Sequence, residues 1–367
     1  MRFALIGGGG ISHKHIEAAT SGGRAKLVAG CFSRDAGKNA AFARQYAVSE
    51  DRTYNNYLEM IKNEAVKPDR PDFVIVTTTN KDHYIICKAL IEHGFPVACE
   101  KPLTVGTAGA LELAALARKK ELPCMTTYTF LGVPAIHVMK KLYEEGRIGQ
   151  AYFLNMQFLH GARLQEVMND PRSVWRFNAD ESGKAGTVGD LGTHLESIAR
   201  FLFGAMSSVL ARLLCEPNGI ELDSVNNVLF KVEGGLCGSM QIAQLACGHN
   251  TDMAFEIWGD KGTLAWSYKK PDEIRLYCLG AEDKVILASD MICNNDLINL
   301  ANPEIKEGVD SHTAAFRRIY EGYITAVNAD PEQAPFFPDF DLGAAGVEFV
   351  DACLESQKNG NTWITLK

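Results

Sequence analysis

Short apolar runs alternate with helix-like segments over the first third of the chain. The runs at 2–6, 26–32, 72–77, 96–99 and 123–126 predict strands. Helices are expected between them, at 11–20, 35–46, 54–63, 81–93 and 105–119. Because each strand is an unbroken apolar run, the alternation predicts a parallel sheet that helices cover on both faces.

The pattern changes beyond residue 125. A helix at 132–144, a strand at 150–160, a polar stretch with proline and glycine from 161 to 187, and a helix at 189–203 come first. Strands then follow one another at 207–214, 225–232, 235–245, 252–258, 262–267, 273–279 and 283–288, before helices at 311–328 and 340–357. Short turns between consecutive strands predict a mostly antiparallel sheet. The predicted fold class is therefore α/β, with a doubly wound parallel domain at 1–125 and an α+β domain at 126–367.

Composition narrows the classes of partner. A length of 367 residues suits two domains, and a net charge of −8 argues against the basic face that nucleic acids and acidic lipids require. No apolar run approaches a membrane span, and the one at the N-terminus is too short for a signal peptide. The ten cysteines are scattered without a Cys-x-x-Cys pair, which favours reduced thiols over disulfides or structural zinc. We expect a cytoplasmic protein with a small-molecule partner and neither a nucleic-acid nor a membrane partner.

A glycine-rich turn joins the first strand to the first helix. Gly7-Gly8-Gly9-Gly10-Ile11-Ser12 fits the dinucleotide-binding pattern of the Rossmann fold. Gly7 would make the tight turn, Gly9 would allow a pyrophosphate to approach the backbone, and Ser12 would pack the helix on the strand. A flexible glycine turn is the simpler alternative, but the strand and helix on either side favour NAD or NADP binding.

The choice between NAD and NADP depends on the end of the second strand. An acid there binds the ribose 2′-hydroxyl of NAD, whereas an arginine accepts the 2′-phosphate of NADP. If the strand ends at Phe32, the position falls on Ser33 and is followed by Arg34, which favours NADP slightly. Asp35 lies only two residues away from Ser33, so a small error in the strand end would reverse this prediction.

Three further segments accompany the glycine turn. Thr78-Thr79-Asn80-Lys81-Asp82-His83 follows the third strand, Glu100-Lys101-Pro102 follows the fourth, and Gly189-Asp190-Leu191-Gly192-Thr193-His194 opens a later helix. In this order and spacing the four motifs resemble the Gfo/Idh/MocA oxidoreductase family, which includes inositol dehydrogenases and glucose–fructose oxidoreductase. The resemblance covers the first domain nearly throughout and extends to about residue 205.

The resemblance implies the roles of several residues. Lys101 and His194 would face each other across the cofactor as the catalytic pair, with Asp190 beside them. The other cofactor-binding candidates are Gly7, Gly9, Gly10, Ile11, Ser12, Ser33, Arg34, Thr78, Asn80, His83, Glu100, Trp175 and Arg176. The substrate-binding candidates are Tyr128, Phe130 and His160 together with Lys101, Asp190 and His194. The second domain would carry a large open sheet of the kind that commonly supports homo-oligomers, whether dimers, tetramers or hexamers.

Simpler roles are open for the same residues. Lys101 follows a parallel strand, at the edge where such sheets bind ligands, yet a solvated lysine before a turn proline is the ordinary alternative. Asp190 and His194 are four apart and would share one helix face, but a helix cap and a core histidine would also explain them. They could form part of a zinc site, although no third ligand clusters with them, and we expect no metal. His13-Lys14-His15 is interpreted as helix surface.

The predicted activity is oxidation of a secondary hydroxyl on a sugar, glycoside or cyclitol. His194 would take the proton and Lys101 would stabilise the oxygen, although the lysine could itself carry the proton. The long polar stretches at 161–187 and 289–310 favour pyranoside C3, while Thr129, where many relatives carry arginine, weakens the case for an anionic substrate. Two alternatives are a glycosidase or transhydrogenating enzyme that recycles bound cofactor, and a non-catalytic sugar sensor.

Overall fold

The chain folds into two compact units. The computed structural model describes residues 1–161, 175, 178–215, 221–293, 299–301, 309–328 and 335–366. The first unit comprises Met1–Gly132 with Leu300–Ala344, and the second comprises Val133–Asn299 with Ala345–Lys367. A late segment of the chain thus joins the N-terminal unit, whereas the predicted domains, divided near residue 125, are consecutive. That division stays a prediction about domain boundaries.

The first unit contains a five-stranded parallel sheet, as the sequence predicts. Its strands β1 to β5 are Arg2–Ile6, Lys26–Cys31, Phe73–Val76, Val97–Cys99 and Cys124–Thr126. Its helices are α1 (Gly10–Thr20), α2 (Ala36–Gln45), α3 (Tyr57–Ala65), α4 (Asn80–Glu92), α5 (Thr107–Lys119) and, late in the chain, α10 (Ser311–Asn328).

The strand order places a ligand crevice at the glycine turn. The order is β2-β1-β3-β4-β5, and an isolated parallel bridge from Gly30 to Thr53 adds the trace of a further strand beside β2. With that bridge the order matches the Rossmann arrangement, in which the direction of winding reverses between β1 and its neighbour β3. Ligands of such sheets bind at the carboxyl ends of the strands at this reversal.

Apolar side chains on both faces of the sheet explain why α10 belongs to this unit. Phe3 stacks on Phe73 with ring centroids 5.3 Å apart, and Tyr323 of α10 meets Phe73 edge-on at 5.4 Å. Phe316, Ile319 and Tyr323 are buried in the same core cluster as these strands. Helix α10 therefore covers a sheet face that would otherwise expose aromatic rings to water.

The second unit contains a nine-stranded sheet in the order β13-β12-β11-β10-β6-β9-β8-β7-β14. All neighbouring strands are antiparallel except β6 and β9, so the prediction of a mostly antiparallel sheet is confirmed. The strands β6 to β14 are Ala151–Leu159, Met206–Leu214, Val225–Val232, Cys237–Ala243, Asp252–Gly259, Gly262–Ser267, Glu273–Cys278, Lys284–Leu287 and Ile364–Thr365.

The helices of this part of the chain include one irregular segment. They are α6 (Pro134–Glu144), α7 (Ala179–Ser182), a π-helical turn at Val188–Gly192 that runs into α8 (Thr193–Phe203), α9 (Ala288–Cys293) and α11 (Phe340–Lys358). Leu195, Ile198 and Leu202 form the buried apolar stripe of α8. None of the helices among the described residues has the length and apolar character that crossing a membrane requires.

Candidate active site

Steric crowding fixes the first half of the glycine turn. Gly7 has a φ of 110°, and a Cβ at this position would lie 2.6 Å from the Thr77 hydroxyl. A Cβ on Gly8 would lie 2.5 Å from the Phe32 carbonyl oxygen. These two positions favour glycine, because they lie against the residue after β3 and the residue after β2.

The second half of the turn is open. Among the described residues, a Cβ on Gly9 or Gly10 would meet no atom within 4 Å, and the N-cap residue of α1, Gly9, has no side chain with which to cap the helix. Ser12 is fully buried and its hydroxyl lies 2.8 Å from the Thr77 hydroxyl, which joins α1 to β3. Open backbone N–H groups at a helix N-terminus suit a pyrophosphate, so these residues fit a dinucleotide.

The end of β3 supplies another feature that suits the cofactor. The Thr78 hydroxyl oxygen is buried and has no hydrogen-bond partner among the described residues. Asn80 begins α4 nearby. A buried polar atom without a partner is costly, and a ligand hydroxyl or phosphate oxygen at the strand end would satisfy it.

His83 lies behind this strand end. Its side chain is completely buried, with Nδ1 2.9 Å from the Pro102 carbonyl oxygen and Nε2 3.2 Å from that of Thr78. Burial lowers the pKa of His83 against the opposing effect of these carbonyls. The imidazole therefore joins the segments that carry Thr78 and Pro102, and its direct contact with a cofactor stays a prediction.

The residues after β2 are arranged in a way that bears on cofactor choice. Strand β2 ends at Cys31, one residue earlier than predicted. The Asp35 carboxylate caps α2 by accepting a 2.8 Å hydrogen bond from the Lys38 amide, and the Ser33 hydroxyl accepts one from the Asp35 amide at 3.2 Å. The Arg34 side chain is 85% exposed and donates to Asp82 at 2.9 Å. Asp35 is thus engaged by its own helix, while Arg34 extends into solvent.

Glu100, directly after β4, accepts several hydrogen bonds. Its carboxylate accepts hydrogen bonds from His15 Nε2 at 2.8 Å, from the Thr127 hydroxyl at 2.8 Å and from the Lys101 amide at 3.2 Å. The interpretation of His13-Lys14-His15 as helix surface is wrong for His15, which is completely buried, and right for His13, which is exposed.

A buried chain of polar groups runs on from His15. Its Nδ1 lies 2.6 Å from the Tyr320 hydroxyl of α10. Because the carboxylate of Glu100 only accepts, Nε2 of His15 must carry a proton. Burial alone would raise the pKa of Glu100, but the hydrogen bond and charge of His15, the charge of Lys101 and the Thr127 hydroxyl lower it to about 2. Glu100 is therefore ionised, and it anchors the backbone at Lys101 instead of acting as an acid.

His312, in the first turn of α10, is a candidate that the sequence did not reveal. Its ring meets Phe130 at 5.8 Å and Phe316 at 5.1 Å between centroids. Burial lowers the pKa of His312. The charge of Asp310 raises this pKa and that of Lys14 lowers it, and Glu100 and Lys101 have smaller effects in the same two directions. The motifs could not indicate His312, because it lies more than 200 residues from Lys101 in the chain.

The aromatic candidates Tyr128 and Phe130 follow β5. Tyr128 is completely buried and Phe130 is 4% exposed. Such burial favours a packing role for both rings, and their contact with substrate stays a prediction.

In the second unit, Asp190 lies in the π-helical turn and His194 in the first turn of α8. Asp223, from the segment before β8, accepts hydrogen bonds from the amides of Gly186 at 2.5 Å and Val188 at 2.7 Å. The alternative of Asp190 as the helix cap is therefore wrong, since Asp223 satisfies the amides at the start of this segment. His194 is 6% exposed, with its ring 6.2 Å from that of Phe158 on β6.

Asp190 has polar neighbours from strand ends of the same unit. Gln244, directly after β9, donates to its carboxylate at 2.6 Å. His160, directly after β6, is half-buried; burial lowers its pKa, while the charge of Asp190 and a hydrogen bond with Asn250 raise it. The structure thus gathers Asp190, His160 and Gln244, and only Gln244 went unpredicted.

The remaining candidates lie before this helical segment. Trp175 is half-buried, and its carbonyl oxygen accepts a hydrogen bond from the Asn178 amide at 3.2 Å. Arg176 lies outside the described residues. Within the described part of the chain, no group of three or more His, Cys, Asp or Glu side chains is arranged to hold a metal ion.

Comparison with known proteins agrees with this arrangement. Residues 1–128 match the model of the oxidoreductase family with an NAD-binding Rossmann fold, and residues 136–265 match the GFO/IDH/MocA C-terminal domain. An uncharacterised oxidoreductase of Bacillus subtilis, YfiI, is 29% identical over 100% of this chain and 97% of its own. A levoglucosan dehydrogenase of Pseudarthrobacter phenanthrenivorans is 28% identical over 57% of this chain and 59% of its own.

The fold agrees over the whole length of a solved structure. An inositol dehydrogenase homologue of Azotobacter vinelandii, complexed with NAD+, superposes with a TM-score of 0.91 at 24% identity, covering 100% of this chain and 97% of the other. Both halves of the chain match models of one family, and the glycine turn and strand ends fit a dinucleotide. The protein belongs to the Gfo/Idh/MocA family of NAD(P)-dependent oxidoreductases.

Proposed function

We propose that this oxidoreductase oxidises a secondary hydroxyl of a sugar, glycoside or cyclitol. The observation that carries the proposal is the fixed position of Lys101, which lies two residues after β4 at the carboxyl edge of the sheet and is anchored by Glu100. Levoglucosan, an anhydrosugar, is the named substrate of the relative in Pseudarthrobacter, and that name supports a carbohydrate substrate here.

The bound nicotinamide would accept the hydride that leaves the carbinol carbon. The proposed part of Lys101 is to hydrogen-bond the reacting oxygen and stabilise the charge that develops there. His194 would take the hydroxyl proton, a task that suits imidazole near neutral pH. Asp190 and His160, which lie near each other in the second unit, would bind hydroxyls of the substrate. The glycine turn, Ser12 and Thr78 would hold the cofactor.

A preference for NADP over NAD is part of the proposal. Ser33, two residues after the end of β2, carries no carboxylate, and the nearby acid, Asp35, is engaged as the cap of α2. Arg34, exposed beside Ser33, offers a guanidinium to a 2′-phosphate. Equilibrium binding of NADP+ and NAD+, followed by protein fluorescence, tests this preference; tighter binding of NAD+ would contradict it.

Within the substrate class, the proposed position of oxidation is C3 of a pyranoside. The support comes from the sequence, where the long polar stretches 161–187 and 289–310 suit a substrate larger than a free cyclitol. Much of both stretches lies outside the described residues. Assembly into a homo-oligomer likewise stays a prediction.

The decisive experiment follows the absorbance of reduced nicotinamide while purified protein is mixed with NAD+ or NADP+ and a panel of inositols, aldoses, anhydrosugars and glycosides. Reduction with glycosides, and a 3-keto product by NMR, is the expected result. Reduction with inositols alone would contradict the C3 assignment. If no substrate reduces the cofactor but denatured protein releases bound nicotinamide, the enzyme recycles its cofactor and the dehydrogenase proposal fails.

A further inference from the structure

A chain of three side chains in the second unit ends at Asp190. The Thr187 hydroxyl donates to Gln244 Oε1 at 3.1 Å, and Gln244 Nε2 donates to Asp190 Oδ2 at 2.6 Å. Thr187 is completely buried and Gln244 is 6% exposed. Neither residue belongs to a motif that identifies the family.

The chemistry of the three groups fixes the direction of the chain. An ionised carboxylate only accepts hydrogen bonds, so the amide nitrogen of Gln244 faces Asp190. Its amide oxygen must then face Thr187, whose hydroxyl donates. Every donor in the chain points toward Asp190, and the last bond has the short length of a charge-assisted interaction. The arrangement therefore favours the ionised form of Asp190.

One backbone segment holds both donors in place. The backbone N–H of Thr187 donates to the Asp223 carbonyl oxygen at 3.0 Å, and the backbone N–H of Gln244 donates to the Ser224 carbonyl oxygen at 2.9 Å. The Asp223 carboxylate binds the amides on either side of Thr187, at Gly186 and Val188. The backbones of Thr187 and Gln244 are thus bonded to two consecutive residues, Asp223 and Ser224, and neither can shift without breaking hydrogen bonds.

We propose that Gln244 and Thr187 are positioning residues that keep the Asp190 carboxylate ionised and oriented as an acceptor for a substrate hydroxyl. This inference rests on the proposed function, because it assumes that Asp190 binds substrate. Gln244 acts by orienting the carboxylate of Asp190. Thr187 acts by orienting the side-chain amide of Gln244, because its hydroxyl keeps the amide oxygen toward Thr187 and the amide nitrogen toward Asp190.

Four variants test the chain. Gln244→Met removes both hydrogen bonds at similar length, Thr187→Val removes the donor at similar volume, and Thr187→Ser keeps the hydroxyl as the matched control. Roughly a tenfold to hundredfold fall in kcat/KM, mainly through KM, is expected for Gln244→Met, with a smaller fall for Thr187→Val. Thr187→Ser should stay near wild type, and cofactor binding should be unchanged in all three.

The fourth variant, Gln244→Glu, gives a pH signature that a packing defect would not produce. It places a second carboxylate beside Asp190, near His160, His194 and Asp223. The pair would share one proton at low pH and repel once both are ionised. The kcat/KM of Gln244→Glu should approach the wild-type value at low pH and fall as the pH rises. The wild-type profile of kcat/KM against pH should lack this fall. Parallel profiles for Gln244→Glu and wild type would overturn the proposal.

A measurement without substrate separates this inference from the proposed function. The charge of Asp190 raises the pKa of His160. Displacing or neutralising the Asp190 carboxylate should therefore lower the pKa of His160. NMR titration of the histidine rings, with His160→Asn to assign the signal, should show the His160 pKa lowered in Gln244→Met and Thr187→Val but not in Thr187→Ser. An unchanged His160 titration in Gln244→Met overturns the inference whether or not the wild type oxidises a polyol.

Discussion

The two units support their candidate residues in different ways. In the first unit, Glu100 and Lys101 directly follow a parallel strand, and donors from α1, from the residue after β5 and from the local backbone converge on Glu100. In the second unit, Asp190 lies in a π-helical turn and is held by Gln244, a side chain 54 residues away in the sequence. The first arrangement depends on the ends of parallel strands, which converge in every such sheet, whereas the second depends on individual side-chain contacts.

This difference affects how each unit responds to substitution. The backbone at Lys101 is fixed by a buried carboxylate network that resists change. Asp190 accepts a hydrogen bond from the side-chain amide of Gln244, which accepts one from the Thr187 hydroxyl, and a single substitution removes either donor. We therefore expect small substitutions around Asp190 to change substrate affinity without unfolding the chain.

The largest expected effect tests whether the two units serve one reaction. Lys101→Met and His194→Asn should each lower kcat by roughly 10²–10⁴-fold, because each would remove one of the proposed proton-transfer or charge-stabilising groups. If both groups act on the same oxygen, the double variant should be little worse than the poorer single variant. Steady-state kinetics of the wild type, both single variants and the double variant at saturating cofactor measures this double-mutant cycle.

Cofactor affinity, measured by fluorescence, is the control for this cycle. It should stay near wild type in His194→Asn. Effects that multiply in the double variant would mean that Lys101 and His194 act independently, and near-normal turnover in both single variants would remove them from the catalytic machinery.

The next effect concerns the stability of the Glu100 network. The folded-state pKa of Glu100, about 2, lies below its unfolded value. Its stabilisation is thus present above about pH 4.3 and is lost as the pH falls toward about 2. Glu100→Gln should lower the free energy of unfolding by roughly 2–3 kcal/mol near neutral pH, and the gap should narrow below about pH 4.

Urea unfolding of Glu100→Gln at neutral and acidic pH measures this gap. Glu112→Gln is a matched control, since Glu112 also pairs with a basic group, Lys88 at 2.6 Å, but on the surface of α5. It should change stability little at either pH. A constant gap across the pH range in Glu100→Gln would show that the network stabilises by packing and not by charge.

Strand and helix positions were predictable from hydrophobic periodicity, which reports burial directly. The helix predicted at 11–20 is Gly10–Thr20, and the strand predicted at 225–232 has those bounds. The predicted helix at 189–203 did not distinguish the π-helical turn from the α-helix, because one extra residue in a turn leaves the apolar pattern nearly unchanged. Periodicity also carries no information about which distant helix covers a sheet face, and so α10 was not assigned to the first unit.

The candidate residues were predictable where they lie in contiguous motifs, as Lys101 after β4 and Asp190 in the π-helical turn do. His15 was misjudged because a histidine in a helix next to another histidine and a lysine has the composition of a surface. Its burial depends on Glu100 and Tyr320, which lie 85 and 305 residues away. Gln244 and His312 belong to no motif, and only the fold brings them to the neighbourhood of charged candidates.

A pair of glycine variants separates folding from cofactor binding within the first unit. Gly7→Ala forces a Cβ to within 2.6 Å of Thr77 at a φ of 110° and should cost roughly 1–3 kcal/mol of stability. At Gly9 the φ is −70° and the added Cβ meets open space, so Gly9→Ala should leave stability within about 0.5 kcal/mol.

Gly9→Ala should weaken cofactor binding although it leaves stability nearly unchanged. The added methyl group lies where a pyrophosphate would approach the backbone, and affinity for NADP+ should fall roughly tenfold or more. Thermal unfolding without cofactor and fluorescence titration with it give the two quantities. Normal cofactor affinity in Gly9→Ala would show that the pyrophosphate does not bind at this turn.

The smallest expected effect distinguishes two roles for Asp35, the acid after β2: cap of α2 or ligand of the ribose. The Asp35 carboxylate accepts from the Lys38 amide and caps α2, so Asp35→Ala should cost about 1 kcal/mol of stability. If capping is the task of this carboxylate, the ratio of NADP+ to NAD+ affinity should be unchanged in Asp35→Ala, whereas Arg34→Ala should weaken NADP+ binding alone. If Asp35→Ala instead weakens NAD+ selectively, Asp35 binds the ribose and the cofactor preference is the reverse of the one proposed. The stability loss would then be a secondary effect, because one carboxylate would serve as the helix cap without cofactor and as the ribose ligand with it.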